Sequence, residues 1–126
     1  MRRHIVQTPI WKKFKNEYGT EAFQAGGVIY TRHKIPLIKK YYAYCPRVSP
    51  KDINFKELKE SLKENSCIAI SFDVPNVIKG SDEEKEAVAI LEKHCKKSTR
   101  SEFAKGNVML DLSKSEKDLF ENMHKK

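Results

Sequence analysis

Residues 54–72 change their hydrophobic period once, and that change limits the folds open to the chain. "NFKELKESLKENS" sets Phe55, Leu58 and Leu62 at i, i+3 and i+7, the stripe of an amphipathic helix, with Asn54 placed to cap it and Glu57 three residues on. "CIAISF" follows at once, large residues (Ile68, Ile70, Phe72) alternating with small ones (Cys67, Ala69, Ser71). Alternation without a polar face suits a strand covered on both sides, so Cys67–Phe72 is expected in the middle of a sheet.

The remaining segments fit the same scheme. Thr8-Pro9 opens a helix, the Thr hydroxyl capping a free N–H and Pro giving up a donor that had no partner there, and Gly19 is its stop. From 21 to 35 the residues turn β-like, with Gly26-Gly27 as a bend or bulge before "VIYTRHKI". Pro36 and "LIKK" read as a turn, and "YYAYC" as a strand stopped by Pro46. Ser81 and Glu84 form a capping box for a helix over 82–96. "NVMLDL", 107–112, alternates as a strand, and Ser113 with Glu116 form a third box for a helix whose apolar face is Leu119, Phe120 and Met123. The expected fold class is α/β (α+β): one mixed sheet with helices on both faces, a single domain over 1–126, truncated inside or just after its last helix.

At 126 residues and 39% hydrophobic content the chain can build one core, and it holds no apolar run of membrane-spanning length and no signal-peptide segment. A soluble, cytoplasmic protein is expected. Cys45, Cys67 and Cys95 form no C-x-x-C pair, and the first two sit in apolar runs, as reduced core residues would. His94 and Cys95 are neighbours on a predicted helix, about 100° apart, so they do not share a metal; none is expected. Glycines at 19, 26, 27, 80 and 106 give no G-x-G-x-x-G and no Walker loop, and there is no G-x-S-x-G elbow. Asp73, at a strand end, reads as turn chemistry before Val74-Pro75. No catalytic residue and no cofactor emerge.

Charge is more telling. Residues 1–50 carry ten basic and two acidic side chains, whereas 51–126 carry fifteen of each, so the whole net charge of +8 sits in the first part of the chain. A localised anionic partner is expected. Within that part, "TPIWKKFKNEYG" combines three lysines with an aromatic stripe. At about 100° per residue from Trp11, Ile10, Phe14 and Tyr18 share one arc, which should be buried. Lys12 and Lys13 fall well off it and should be solvated, while Lys15 falls on its border, where a lysine lays its stem along rings and offers its ammonium to a phosphate.

Taken in order, "VQTPIWKKFKNEYG", "GGVIYTRHKIP", "YAYCPR", "ISFDVP" and "NVMLDLSKSEKDLFENMHKK" resemble the amino-terminal domain of the Fem-type peptidoglycan bridge-forming aminoacyltransferases. The resemblance runs over essentially the whole chain; its most telling parts are the Gln-x-x-x-Trp helix with Phe14-Lys15 and the Leu-Asp-Leu-Ser junction at 110–113. It implies one of two acetyltransferase-like (GNAT-like) halves, an aminoacyl-tRNA donor, and a peptidoglycan precursor, UDP-linked or lipid-linked, as acceptor. It also implies that Lys15, beside Trp11, contacts the precursor's phosphates, that most other contacts come from a second domain absent from this chain, and that this part alone is inactive. The enzyme would be cytoplasmic, peripheral at the inner membrane face, without stable membrane insertion. Ser71 stands where the family usually has Arg, and Val48 where it often has Gly. Two other classes stay open: a small basic nucleic-acid-binding domain without catalytic activity, which the charge distribution fits, and a coenzyme A acetyltransferase, which lacks its glycine-rich turn.

Overall fold

The computed structural model describes residues 3–74, 77–99 and 112–122. The chain divides into two compact units, Met1–Lys96 and Lys97–Lys126. The first holds a short 3-10 turn (Ile5–Gln7), helix α1 (Pro9–Glu17), strands β1 (Ala22–Ala25), β2 (Val28–Lys34) and β3 (Tyr41–Cys45), a second 3-10 turn (Pro50–Asp52), helix α2 (Phe55–Glu64), strand β4 (Cys67–Phe72) and helix α3 (Asp82–His94). Among the described residues these strands form one four-stranded mixed sheet in the order β1-β2-β3-β4, antiparallel except for the parallel pair β3 and β4. The fold is mixed α+β.

Local chemistry explains most boundaries. Thr8 Oγ1 accepts from Trp11 N at 3.4 Å. Gly19, at φ +81°, closes α1 as a Schellman motif, in which Thr20 N donates to Lys15 O at 3.0 Å and Gly19 N to Asn16 O at 3.4 Å. Gly26 and Gly27 are the two central residues of the β1–β2 hairpin, at φ +58° and +81°, the left-handed pair a type I′ turn needs. The turn also leaves no room for a side chain: a Cβ would lie 2.5 Å from Asn54 O at Gly26 and 2.5 Å from Asp52 O at Gly27. Asn54 caps α2 through Glu57 N at 3.3 Å, and its own N–H donates to Gly26 O at 2.9 Å, so hairpin and helix start are one unit. Ser81 caps α3 through Glu84 N at 3.2 Å; the Glu84 carboxylate reaches back to Gly80 N.

The core lies between the sheet and α2, around Val28, Tyr30, Ala43, Cys45, Val48, Ile53 and Leu58. The doubly covered strand is β2, where Val28, Ile29, Tyr30 and Thr31 are all buried although successive residues face opposite sides. For Cys67–Phe72 the described residues show exposure where cover on both sides was expected. In the described sheet β4 is an end strand, and Ile68, Ala69 and Ser71 are exposed. A register shift sets which of its side chains face the core: Tyr41 pairs with Cys67 and Tyr42 with Ala69, so Ile68 is the extra residue. Cys67, Ile70 and Phe72 then pack against the core, and Ile68 is left 61% exposed.

In the second unit, helix α4 (Glu116–Glu121) is capped by Ser115, whose Oγ accepts from Asp118 N at 3.2 Å. The expected box of Ser113 and Glu116 is therefore displaced by two residues, with Glu116 as the first helical residue. Phe120 is exposed; Met123 and most of the expected 107–112 strand lie outside the described residues.

Candidate functional site

Two side chains fix α1 to the sheet before its own surface comes into play. Gln7, only 5% exposed, sits where the β2–β3 ladder has stopped at Thr31 opposite Tyr44. Its Nε2 donates to Ile29 O at 2.9 Å and Pro46 O at 2.6 Å, and its Oε1 accepts from Ile29 N at 2.7 Å. The side-chain amide thus replaces a missing peptide of the ladder. At the other end Asn16 accepts from Ala22 N at 2.9 Å and donates to Ala22 O at 3.2 Å. Thr8, between them, sets where the helix begins.

On that anchored helix the aromatic residues do not form a core stripe. No residue of α1 is buried; Ile10 is 78% and Tyr18 75% exposed. The apolar spacing is spent on a stack along the helix surface instead, Trp11 on Phe14 at 5.4 Å and Phe14 on Tyr18 at 4.6 Å between ring centroids. Lys15 is half-buried with its Nζ 4.9 Å from the centre of the Trp11 ring, a cation–π contact. Lys13 is exposed and pairs with Glu17 at 3.8 Å, while Lys12 is half-buried rather than fully solvated. The rings and the Lys15 ammonium form one ledge, able to meet a planar group and an anion side by side.

A second constellation lies at the C-terminal ends of β3 and β4, the position where parallel strands commonly present ligand sites. Asp73 N donates to Cys45 O at 3.0 Å and Val48 N to Asp73 O at 3.1 Å, bringing "YCPR" and "FDV" together. Arg47, in the left-handed region at φ +48°, meets Asp73 with its Nε 3.3 Å from Oδ2. Beside this junction is a cavity of about 290 Å³ lined by Pro50, Asp52, Val74, Val77, Glu83 and Ala87 among others. Lys51 at its rim is held by Glu86. Its remaining charges are carboxylates, which disfavour an anion there. Asp73 was legible as a turn residue, but its pairing with Arg47 was not, because the two are brought together only by strand pairing.

Arg32 is the best-satisfied cation of the basic segment. It donates to Glu21 from Nε at 2.7 Å and Nη2 at 2.6 Å and to Asn65 O at 3.0 Å, and its guanidinium lies 4.1 Å from the Tyr41 ring centre. The hydrogen bond to Arg32 holds Glu21 below the usual carboxylate range, and Arg32 is raised in turn. It is a structural cation. Burial pushes the Cys45 thiol up to about 12, which removes it as a nucleophile. Among the described residues no group of three or more His, Cys, Asp or Glu is arranged to hold a metal ion, and no helix is long and apolar enough to cross a membrane. No family model matches the chain, and neither a curated protein nor a solved structure matches it significantly.

Proposed function

We propose that this chain is the amino-terminal, acetyltransferase-like part of an aminoacyl-tRNA-dependent aminoacyltransferase that adds an amino acid to the stem peptide of a peptidoglycan precursor. Trp11 and Lys15 form part of its precursor site. The observation that carries the reading is the Lys15 ammonium poised over Trp11 on a helix anchored at both ends, with exposed rings alongside. The ordered sequence resemblance to the Fem-type transferases supplies the substrate class. In that reaction the precursor's amine nitrogen attacks the ester carbonyl carbon of the aminoacyl-tRNA. An amide forms, the ester bond to the tRNA terminal ribose breaks, and the amine's proton leaves with the released hydroxyl. This part of the enzyme binds and orients, and contributes no acid, base or nucleophile.

Calorimetric titration of the chain with a UDP-linked muropeptide tests the reading. A charge-assisted contact is worth about 1.5–3 kcal/mol, so Lys15→Ala should weaken binding roughly tenfold to a hundredfold, while Lys13→Ala, which disturbs only the exposed pair with Glu17, should leave it unchanged. Equal affinity of Lys15→Ala and the unaltered chain would refute it. Tighter binding of a non-specific RNA than of the muropeptide, falling steeply with salt, would favour the nucleic-acid-binding class instead.

A further inference from the structure

We propose that the tip of the β2–β3 hairpin docks the protein onto an anionic lipid bilayer. The tip is closed by Ile35 N donating to Lys40 O at 3.0 Å, and Leu37 stands at its apex, 103% exposed. Leu37 has φ +71°, a conformation that Gly or Asn adopts with less strain. The chain thus presents a large aliphatic group to solvent at a position whose backbone favours a small or polar one. Pro36 and Ile38 beside it are exposed as well, and so is Ile68, which the register shift expels at the same end of the sheet.

Charge decides what such a tip fits. Lys34, Lys39 and Lys40 flank it and are exposed, and no ion pair joins them to an acid among the described residues. From Arg32 to Arg47 the sequence contains no Asp or Glu at all. Tyr42, partly exposed, follows one step behind the lysines. An aliphatic tip, a belt of cations and then a tyrosine reproduce, in order of depth, what acyl chains, anionic headgroups and the interfacial layer each accept. Single-stranded nucleic acid would be met by rings foremost, whereas here the foremost groups are aliphatic and Tyr41 and Tyr42 lie at or behind the lysines. Docking does not depend on the transferase reading.

Co-sedimentation of the chain with phosphatidylcholine vesicles, with and without phosphatidylglycerol, tests the docking. The expected result is binding to the anionic vesicles only, weakening as salt rises. Leu37→Asn keeps a residue that tolerates the left-handed backbone, so the fold is retained and binding should fall roughly tenfold, the scale of burying one leucine. Each of Lys34→Gln, Lys39→Gln and Lys40→Gln should lower it about fivefold. No binding to anionic vesicles, equal binding to neutral ones, or unchanged binding by a folded Leu37→Asn variant would overturn the proposal. So would displacement from vesicles by oligouridylate combined with indifference to Leu37. The vesicles contain no precursor, so failure here is distinguishable from failure of the muropeptide titration.

Discussion

Replacing Gln7 by Met tests whether the amide of Gln7, rather than its bulk, holds α1 in place. Met keeps the length and most of the volume but can neither donate to Ile29 O and Pro46 O nor accept from Ile29 N. Ile29 is itself buried, and water would have to enter an apolar region to compensate. Each lost hydrogen bond contributes about 1 kcal/mol net, and an orphaned buried partner costs about 1–3 kcal/mol, so the three together place the loss at about 3 kcal/mol or more. Against a total stability of about 5–15 kcal/mol this is a large fraction. With a urea slope of about 1–3 kcal/mol per molar, the unfolding midpoint should move down by roughly 1–3 M, read by far-UV circular dichroism. Gln7→Ala, which adds a cavity, should lose still more. A Gln7→Met variant within about 1 kcal/mol of the unaltered chain would refute the reasoning, because packing alone would then account for the site.

Gly26→Ala should destabilise by about 2 kcal/mol or more in thermal unfolding, since its Cβ meets the Asn54 carbonyl, whereas Gly80→Ala, with open space around it, should lose only about 1 kcal/mol from its positive φ. Glu21 is depressed by Arg32, so its contribution to stability is present above the unfolded carboxylate range and is lost as pH falls through its lower folded value. Urea midpoints should accordingly drop more steeply on acidification in the unaltered chain than in Glu21→Gln. In native labelling with a thiol reagent, Cys67 and Cys95, both partly exposed, should react while Cys45 stays protected until the chain unfolds.

What the sequence discloses here is what is local. The caps at Thr8, Asn54 and Ser81 lie where the spacing puts them, because a side chain and an N–H three residues on need nothing else to meet. The α4 cap misled for the same reason: Ser113 with Glu116 and Ser115 with Asp118 are both valid boxes, and only the backbone chooses. Periodicity shows the stripe of Trp11, Phe14 and Tyr18 but not its exposure; the rings stack along the helix surface rather than entering the core. Which residues of β4 face the core depends on a one-residue shift against β3, which no pattern within "CIAISF" encodes. In the sequence Gln7 is one polar residue of a motif, and its role depends on distant partners, Ile29 and Pro46, that only the fold brings to it.

Trp11 is the single tryptophan of the chain, so its emission reports on the ledge it shares with Lys15 without interference. Titrating a UDP-linked muropeptide into the chain while following that emission tests directly whether Lys15 and Trp11 receive the precursor. A saturable change is expected that persists in Lys13→Ala and is lost, or moved to far higher concentration, in Lys15→Ala. An emission that does not respond, or that responds identically in Lys15→Ala, would contradict it.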